Sequence, residues 1–295
     1  MKVNVGDLIE QGLVKKKTYT EGKYKGLSVL KYTKKVFFKN LWHLDERLLE
    51  CRGTVVDEDD NVIVLPFKKV FNLGENNTQV DPEHEVTCPV KVNGFMCAVT
   101  NTEKYGLIVS TTGTLDSEFA ELASKWVDTL DKGGFELGET HIFEVVDKSD
   151  PHIIDEEEGI YLLGNRDINT GVMLSEVLLD LNSELLVSKR PKVHSCKFKD
   201  LDMDVKHEGF MIRCTNTGET LAKYKSNFYL VKKALLRMGK NRASLMFNNP
   251  TEFKKQIDEE YYELHKFIID KYTLEDYISF TQEERRTIFE EYFNG

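Results

Sequence analysis

The chain has 295 residues, 40% hydrophobic and 31% charged, which excludes a disordered polymer and leaves room for one large domain or a domain with a small appendage. Forty Lys and Arg stand against fifty Asp and Glu, a net charge of −10, which argues against gripping nucleic acid by bulk charge alone. No window holds the roughly 18 uncharged apolar residues a membrane helix needs. The start, MKVNVGDLIEQGL, lacks the apolar stretch of a secretory leader, so none is expected.

Residues 27–38, LSVLKYTKKVFF, read as two short strands. Residues 53–57 and 62–67 flank the turn-like DEDDN and predict a hairpin; residues 95–100 and 106–111 predict another. From Phe119, apolar residues recur at 119, 122, 123, 126, 127 and 130, the spacing of a helix, with Asp116 or Ser117 as its cap. Strands return at 141–146, 160–163, 208–214 and 220–224. After about residue 227 the pattern turns helical. Phe253, Ile257, Tyr261, Leu264 and Ile268 form one stripe behind Pro250-Thr251, and Thr281 with Glu284 makes a capping box before Ile288, Phe289 and Tyr292. The layout predicts an α+β body over 1–226 and a helical domain over 227–295.

Charge is unevenly placed. Residues 1–39 hold ten lysines against Asp7, Glu10 and Glu21, a local +7; residues 251–295 hold six basic and twelve acidic residues, a local −6. Either run is ordinarily a solvated face, yet a basic stretch in an acidic chain also suits a local anion groove. The five cysteines, at 51, 88, 97, 196 and 214, are odd in number and contain no CxxC, so they read as reduced thiols. His194-Ser195-Cys196 supplies only two soft ligands, too few to predict a metal site.

Lys91-Val92-Asn93-Gly94 precedes an apolar strand. A lysine beside a glycine is ordinarily a surface lysine before a turn. As a nucleophile it must lose its proton, and at its usual pKa of about 10.4 only about one lysine in 2,500 is neutral at pH 7. Burial, a metal or neighbouring cations must lower that value. Gly94 permits close backbone approach. Lys223-Tyr224-Lys225 puts two ammonium groups on one face of a strand, either as an edge guarded against pairing or as a phosphate clamp. Glu144 and Glu208 open the reading of carboxylates that hold a divalent cation and a ribose hydroxyl. Arg52 and Lys69 suit polyphosphate, and Phe71 suits a base, although an aromatic near Val70 and Leu73 is more often core.

In order, LLECRGTVVD, PFKKVFNLGEN, KVNGF, HIFEVVD, HEGFMIR and LAKYKSNFYL resemble the covalent nucleotidyltransferase superfamily, most closely the bacteriophage-type RNA ligase 1 family. The resemblance runs from about residue 24 to 230. It implies a nucleotidyltransferase (adenylyltransferase) domain of antiparallel sheets flanked by helices, with a small C-terminal helical domain. It implies an ATP-dependent RNA ligase that joins 5′-phosphate and 3′-hydroxyl RNA ends through lysyl–AMP and an RNA-adenylate; the tail is shorter than the family's tRNA-selective helical domain, so RNA choice does not carry over, and nicked tRNA is an expected partner as a repair substrate only.

Carried over by motif, Lys91 is the nucleophile and Lys223 and Lys225 clamp the α-phosphate. Arg52, Lys69 and Phe71 contact nucleotide, as do Asn93 and Gly94 beside the lysine. Glu144 serves as ribose or metal ligand and Glu208 as metal carboxylate, for Mg2+ or Mn2+. Three positions depart from the family pattern: Asn93 stands where Asp is usual, Thr112 where a lysine is often found before a glycine, and His152 where an arginine follows the HIFEVVD-type motif. Asn93 and the lost cations leave open a nucleotide- or RNA-binding relative acting as a sensor or interaction module; a further reading keeps the same nucleotidyl chemistry on nicked DNA or a cap guanylate, against which LECRG and FNLGEN point to the RNA ligase branch. The lysine-rich residues 15–39 are expected to line part of the RNA path. A cytoplasmic location is expected, the host's where the source is a virus.

Overall fold

The computed structural model describes residues 1–257 and 261–294. The chain divides into two compact units. The first takes Met1–Leu201 and Phe210–Tyr224; the second takes Asp202–Gly209 and the described chain from Lys225 onward.

The first unit contains strands β1 (Val14–Thr18), β2 (Ser28–Tyr32), β3 (Arg52–Val56), β4 (Val62–Val64), β5 (Glu85–Pro89), β6 (Phe95–Thr102), β7 (Gly106–Thr111), β8 (Glu139–Val146), β9 (Gly159–Asp167) and β10 (Val193–Lys197). Strands β11 (Gly209–Cys214) and β12 (Thr220–Lys225) complete it, their outermost residues falling in the second unit. Three four-stranded antiparallel sheets result, in the orders β1-β2-β3-β4, β10-β5-β11-β12 and β7-β6-β8-β9. Short helices α1 (Gly6–Glu10), α2 (Lys34–Phe38) and α3 (Arg47–Glu50) surround the first sheet, and α4 (Glu118–Val127) and α5 (Glu176–Leu186) lie on the third.

Alternation along β6 shows why the layers stack. Ala98 points into one apolar cluster with Val29, Val55 and Val64, which joins the first sheet to the third. Its neighbours Cys97 and Val99 point the other way, into a cluster with Ala123 and Val127 of α4 and Leu179 and Leu186 of α5. A strand with period-two side chains, buried on both faces, is thereby sandwiched between a sheet and helices. A buried polar tie crosses the layers: the Thr140 hydroxyl meets Thr100 at 2.8 Å and accepts from the Leu65 N–H at 2.9 Å.

The second unit contains α6 (Asn227–Leu236), α7 (Lys240–Asn248), α8 (Pro250–Lys254), α9 (Tyr262–Lys271), α10 (Leu274–Ser279) and α11 (Gln282–Asn294). Its core gathers Leu235, Met246, Phe253, Tyr261, Leu264, Ile268, Tyr277 and Phe289.

Both predicted hairpins form, as do the strands expected at 141–146, 160–163, 208–214 and 220–224, with ends shifted by a few residues. Ser117, not Asp116, caps α4 by accepting from the Ala120 N–H at 3.2 Å; Asp116 is engaged by Lys17. Thr281 and Glu284 bond reciprocally as a capping box. Two readings are corrected. Residues 27–38 hold one strand and then α2, because only Val36 of the VFF run turns inward while Phe37 and Phe38 face solvent. The stripe from Phe253 to Ile268 is divided between α8 and α9, with residues 258–260 outside the described residues; its apolar members still converge on one core.

Candidate active site

Strand β5 leads directly to Lys91. Val90 is held on both sides, donating to the Lys192 carbonyl at 2.8 Å and bridging to Phe210. The chain then leaves the sheet for residues 91–94 before β6 begins. Lys91 is half-buried, so its side chain reaches the surface from a pinned backbone.

Two ties fix the chain after Lys91. The buried Asn93 accepts from the Ile154 N–H at 2.9 Å through Oδ1, and its own N–H donates to the Glu156 carboxylate at 3.2 Å. An aspartate here would set a second negative charge beside Glu156, which gives the Asn93 departure a local reason. Gly94 donates its N–H to Glu144 Oε1 at 3.2 Å. A Cβ on Gly94 would lie 2.2 Å from the Val145 carbonyl oxygen, so no side chain fits there. Glu144 sits mid-strand on β8, buried, opposite Met96 on β6 and Tyr161 on β9.

Arg52 opens β3, and its guanidinium reaches Met96 Sδ at 3.5 Å. Since Met96 faces Glu144, Arg52 adjoins the same face. Cys51 before it is a buried thiol whose pKa burial pushes up to about 12, which makes it inert as a nucleophile. Gly53 has φ +98°, and a Cβ there would come within 2.9 Å of Thr112 Cα. Thr112 is therefore a packing neighbour of β3. His152 bonds Asp150 at 2.8 Å.

Lys69 is buried, with its ammonium 4.2 Å from the Phe71 ring centroid and 5.4 Å from that of Trp42. Burial pulls its pKa below the lysine norm; Glu75, 3.9 Å away, opposes this, and Arg52 adds to it. Phe71 packs edge-on against Trp42 at 5.7 Å and joins the core beneath the first sheet, so at least one of its faces is structural. The Phe71 carbonyl accepts from the Lys223 N–H at 3.0 Å, and the Lys223 carbonyl accepts from the Leu73 N–H at 2.8 Å. These bonds seat Lys223 beside the Lys69 segment.

Glu75 organises this corner and was not assigned a role from sequence. Its carboxyl lies below the usual range: burial pushes it up, but the Asn72 N–H, Lys69, the Asn72 side chain and Lys223 together pull it down. The signal was present in its place three residues after Asn72, within FNLGEN.

In the second unit, Glu208 is 1% exposed and pairs with Lys225 at 3.1 Å. The Glu208 carbonyl accepts from the Ser226 N–H at 3.0 Å, and Ser226 caps α6 through Tyr229 N–H at 3.1 Å. The Lys225 ammonium also lies 4.8 Å from the Tyr229 ring centroid. Among the described residues, no group of three or more His, Cys, Asp or Glu side chains is placed to hold a metal. Glu144 and Glu208 offer carboxylate oxygens, the donor type that Mg2+ and Mn2+ take.

Of the expected path residues 15–39, Lys16 is paired with Asp60 at 2.7 Å and Lys17 with Asp116 at 2.6 Å. All five cysteines are free thiols. No described helix is long and apolar enough to cross a membrane.

A family model described as RNA ligase matches residues 50–235, more than half of the chain. No curated protein sequence matches. Among solved structures, the chain is similar to an archaeal ATP-dependent RNA ligase in two forms. Form 1 has a TM-score of 0.61 at 14% identity, over 95% of this chain and 76% of that one. Form 2 has a TM-score of 0.57 at 14% identity, over 97% of this chain and 74% of that one. At this identity the likeness is one of fold, the nucleotidyltransferase fold.

Proposed function

The chain belongs to the bacteriophage-type RNA ligase 1 family, and from that membership we propose that it is an ATP-dependent ligase joining 5′-phosphate to 3′-hydroxyl RNA ends, with nicked tRNA among its substrates. The observation that carries the reading is the Gly94 N–H on the Glu144 carboxylate, three residues past Lys91, at a point where no side chain fits. It fixes the path of the lysine segment against a buried acid.

Joining a phosphate to a hydroxyl in water is uphill, so the phosphate must first gain a leaving group. Lys91, as the free amine, attacks the α-phosphorus of ATP; a P–N bond forms, the bond to pyrophosphate breaks, and the amine loses a proton. The RNA 5′-phosphate then attacks the same phosphorus, and Lys91 leaves, regaining a proton. The 3′-hydroxyl attacks the activated 5′-phosphate, losing its proton as AMP departs. The covalent intermediate splits one difficult displacement into easier ones.

Arg52, Lys69, Lys223 and Lys225 are assigned to the phosphates, where fixed cations stabilise charge that builds up in each transfer. Lys69 supports this role, because its buried ammonium gains from an anionic partner. Asn93, Gly94 and Phe71 are assigned to the nucleotide. Glu144 and Glu208 are the residues that would hold Mg2+ or Mn2+, with Glu144 also suited to the ribose. A bound divalent cation supplies charge neutralisation on the triphosphate and the leaving pyrophosphate. Residues 1–226 are assigned the adenylyl chemistry.

Presenting RNAs with each combination of 5′ and 3′ termini tests the reading. Sealing or circularisation of 5′-phosphate, 3′-hydroxyl RNA alone is expected. Thermal stabilisation by nucleotide without any joined product would assign a binding function instead.

A further inference from the structure

The register of the first sheet aligns three cations that belong to different strands. Lys15 of β1 lies directly opposite Lys31 of β2, and Lys31 lies directly opposite Arg52 of β3. Residues directly opposite in antiparallel strands present their side chains on one face, about 5 Å apart. A row of three positive charges thus spans roughly 10 Å across the strands. Like charges placed this way destabilise a sheet, so the row calls for a reason.

The alignment is built by a specific backbone device. Pairing between β2 and β3 shifts register between Leu30 and Lys31, so Leu30 faces Thr54 while Lys31 faces Arg52. The skipped residue is Gly53, in the left-handed region at φ +98° and packed on Thr112. A bulge of this kind re-aims the side chain beside it. It brings the Lys31 ammonium to the turn after β7, where a Cβ on Gly113 would lie 3.1 Å from Nζ. Thr112 is neutral, so the positive charge at this turn comes from Lys31.

The neighbouring lysines on β1 differ. Lys16 and Lys17 are each engaged by an aspartate. Lys15 and Lys31 are exposed, and among the described residues neither they nor Arg52 pairs with a carboxylate. The nearby Glu50 is already taken, bidentate, by Arg166 at 2.7 and 2.8 Å. At its inner end the row continues to Lys69, whose pKa feels the Arg52 charge.

We propose that Lys15 and Lys31 form a track for successive backbone phosphates of an RNA strand, leading past Arg52 to the face occupied by Glu144 and Gly94. The inference rests on the ligase reading for the identity of the strand, and it deepens that reading. Exposed, unpaired ammonium groups at strand spacing suit a repeating anion better than a single one.

The test is binding of 5′-phosphorylated single-stranded RNA, without ATP, across a salt series. The proteins are wild type, Lys15→Ala/Lys31→Ala and, as a control, Lys16→Ala. Each lost phosphate contact lowers the slope of log affinity against log salt by about 0.7 for single strands. The double variant is expected to lose about 1.4 in slope and at least tenfold in affinity at low salt, while Lys16→Ala moves the slope by less than half of that. Its melting temperature is expected to hold or rise, because like-charge repulsion is relieved; a fall of several degrees would contradict the strained row. An unchanged slope overturns the track. A raised KM for ATP with an unchanged RNA slope also overturns it, assigning the row to nucleotide phosphates. Because binding is read without catalysis, a wild type that binds RNA with the expected slope yet seals nothing sinks the ligase reading and spares the track.

Discussion

The Gly94 amide donates to the Glu144 carboxylate at 3.2 Å, and the Val145 carbonyl oxygen occupies the space where a side chain on Gly94 would begin. One glycine thus sets both the hydrogen bond and the approach of the lysine segment to β8. Gly94→Ala is expected to displace that segment by about 1 Å, and such misplacement costs on the order of a hundredfold in rate. Adenylate transfer to Lys91, read as label retained after denaturation, measures it. Wild-type labelling in Gly94→Ala would show that the contact is dispensable.

Arg166 is buried and forks onto Glu50, with further bonds to the Pro66 and Gly171 carbonyls. This anchors the residues that precede Arg52. Arg166→Met leaves Glu50 and two carbonyls without their donor and is expected to cost about 3–5 kcal/mol of stability. Denaturant unfolding measures it. A loss under about 1 kcal/mol would mean that water replaces the guanidinium.

His141 is fully buried, stacked by Phe143 and edge-on to Phe135, and desolvation holds its pKa down at about 4. Its unfolded value is about 6.5. Between these values the unfolded chain binds the extra proton, so stability falls as pH drops from about 6.5 to about 4 and then stops responding to this group. The full change is about 3 kcal/mol. Glu139, 4.0 Å from Nε2, would favour the protonated ring and reduce it. Unfolding curves at a series of pH values should show the slope in wild type and its loss in His141→Phe. The same slope in both proteins would place the titration elsewhere.

Glu208, the proposed metal carboxylate, and Lys225, the proposed phosphate lysine, form one ion pair at 3.1 Å. Removing Lys225 alone takes a charged partner at 3.1 Å from a carboxylate that is 1% exposed, at an expected cost of about 3–5 kcal/mol. The double change Glu208→Gln/Lys225→Met is expected to recover most of that stability while leaving RNA sealing undetectable. Recovery of sealing along with stability would reduce the pair to a structural bridge.

The strands and helices with a clean apolar period were legible in the sequence: the hairpin formed by β6 and β7, helix α4, and the capping box of Thr281. Strand β1 was not, since VKKKT offers one inward residue and four that read as solvent-facing. Strand β5 and helix α5 also escaped, the latter because exposed Val177, Leu178, Leu181 and Leu185 blur its buried stripe. Nothing in the periodicity of 202–209 marks it as part of the second unit.

The candidate site was legible as residue types: Lys91, Glu144, Lys223 and Lys225 stand in short, ordered motifs. What connects them was not legible, because it depends on contacts across the fold. The Asn93 bond to the Ile154 amide, the Glu75 corner and the register that sets Lys31 against Arg52 all join residues distant in the chain or depend on a one-residue bulge. Sequence shows which groups are present, whereas pairing register decides which of them face each other.

Everything in the ligase reading depends on Lys91 carrying an adenylate through its side-chain nitrogen. Intact-mass spectrometry of the protein after incubation with ATP and Mg2+, followed by peptide mapping, measures this directly. One adenylate on Lys91, absent from Lys91→Ala and discharged by 5′-phosphorylated RNA, is the expected result. Folded wild-type protein that shows no adduct, or one mapped to another residue, contradicts the account.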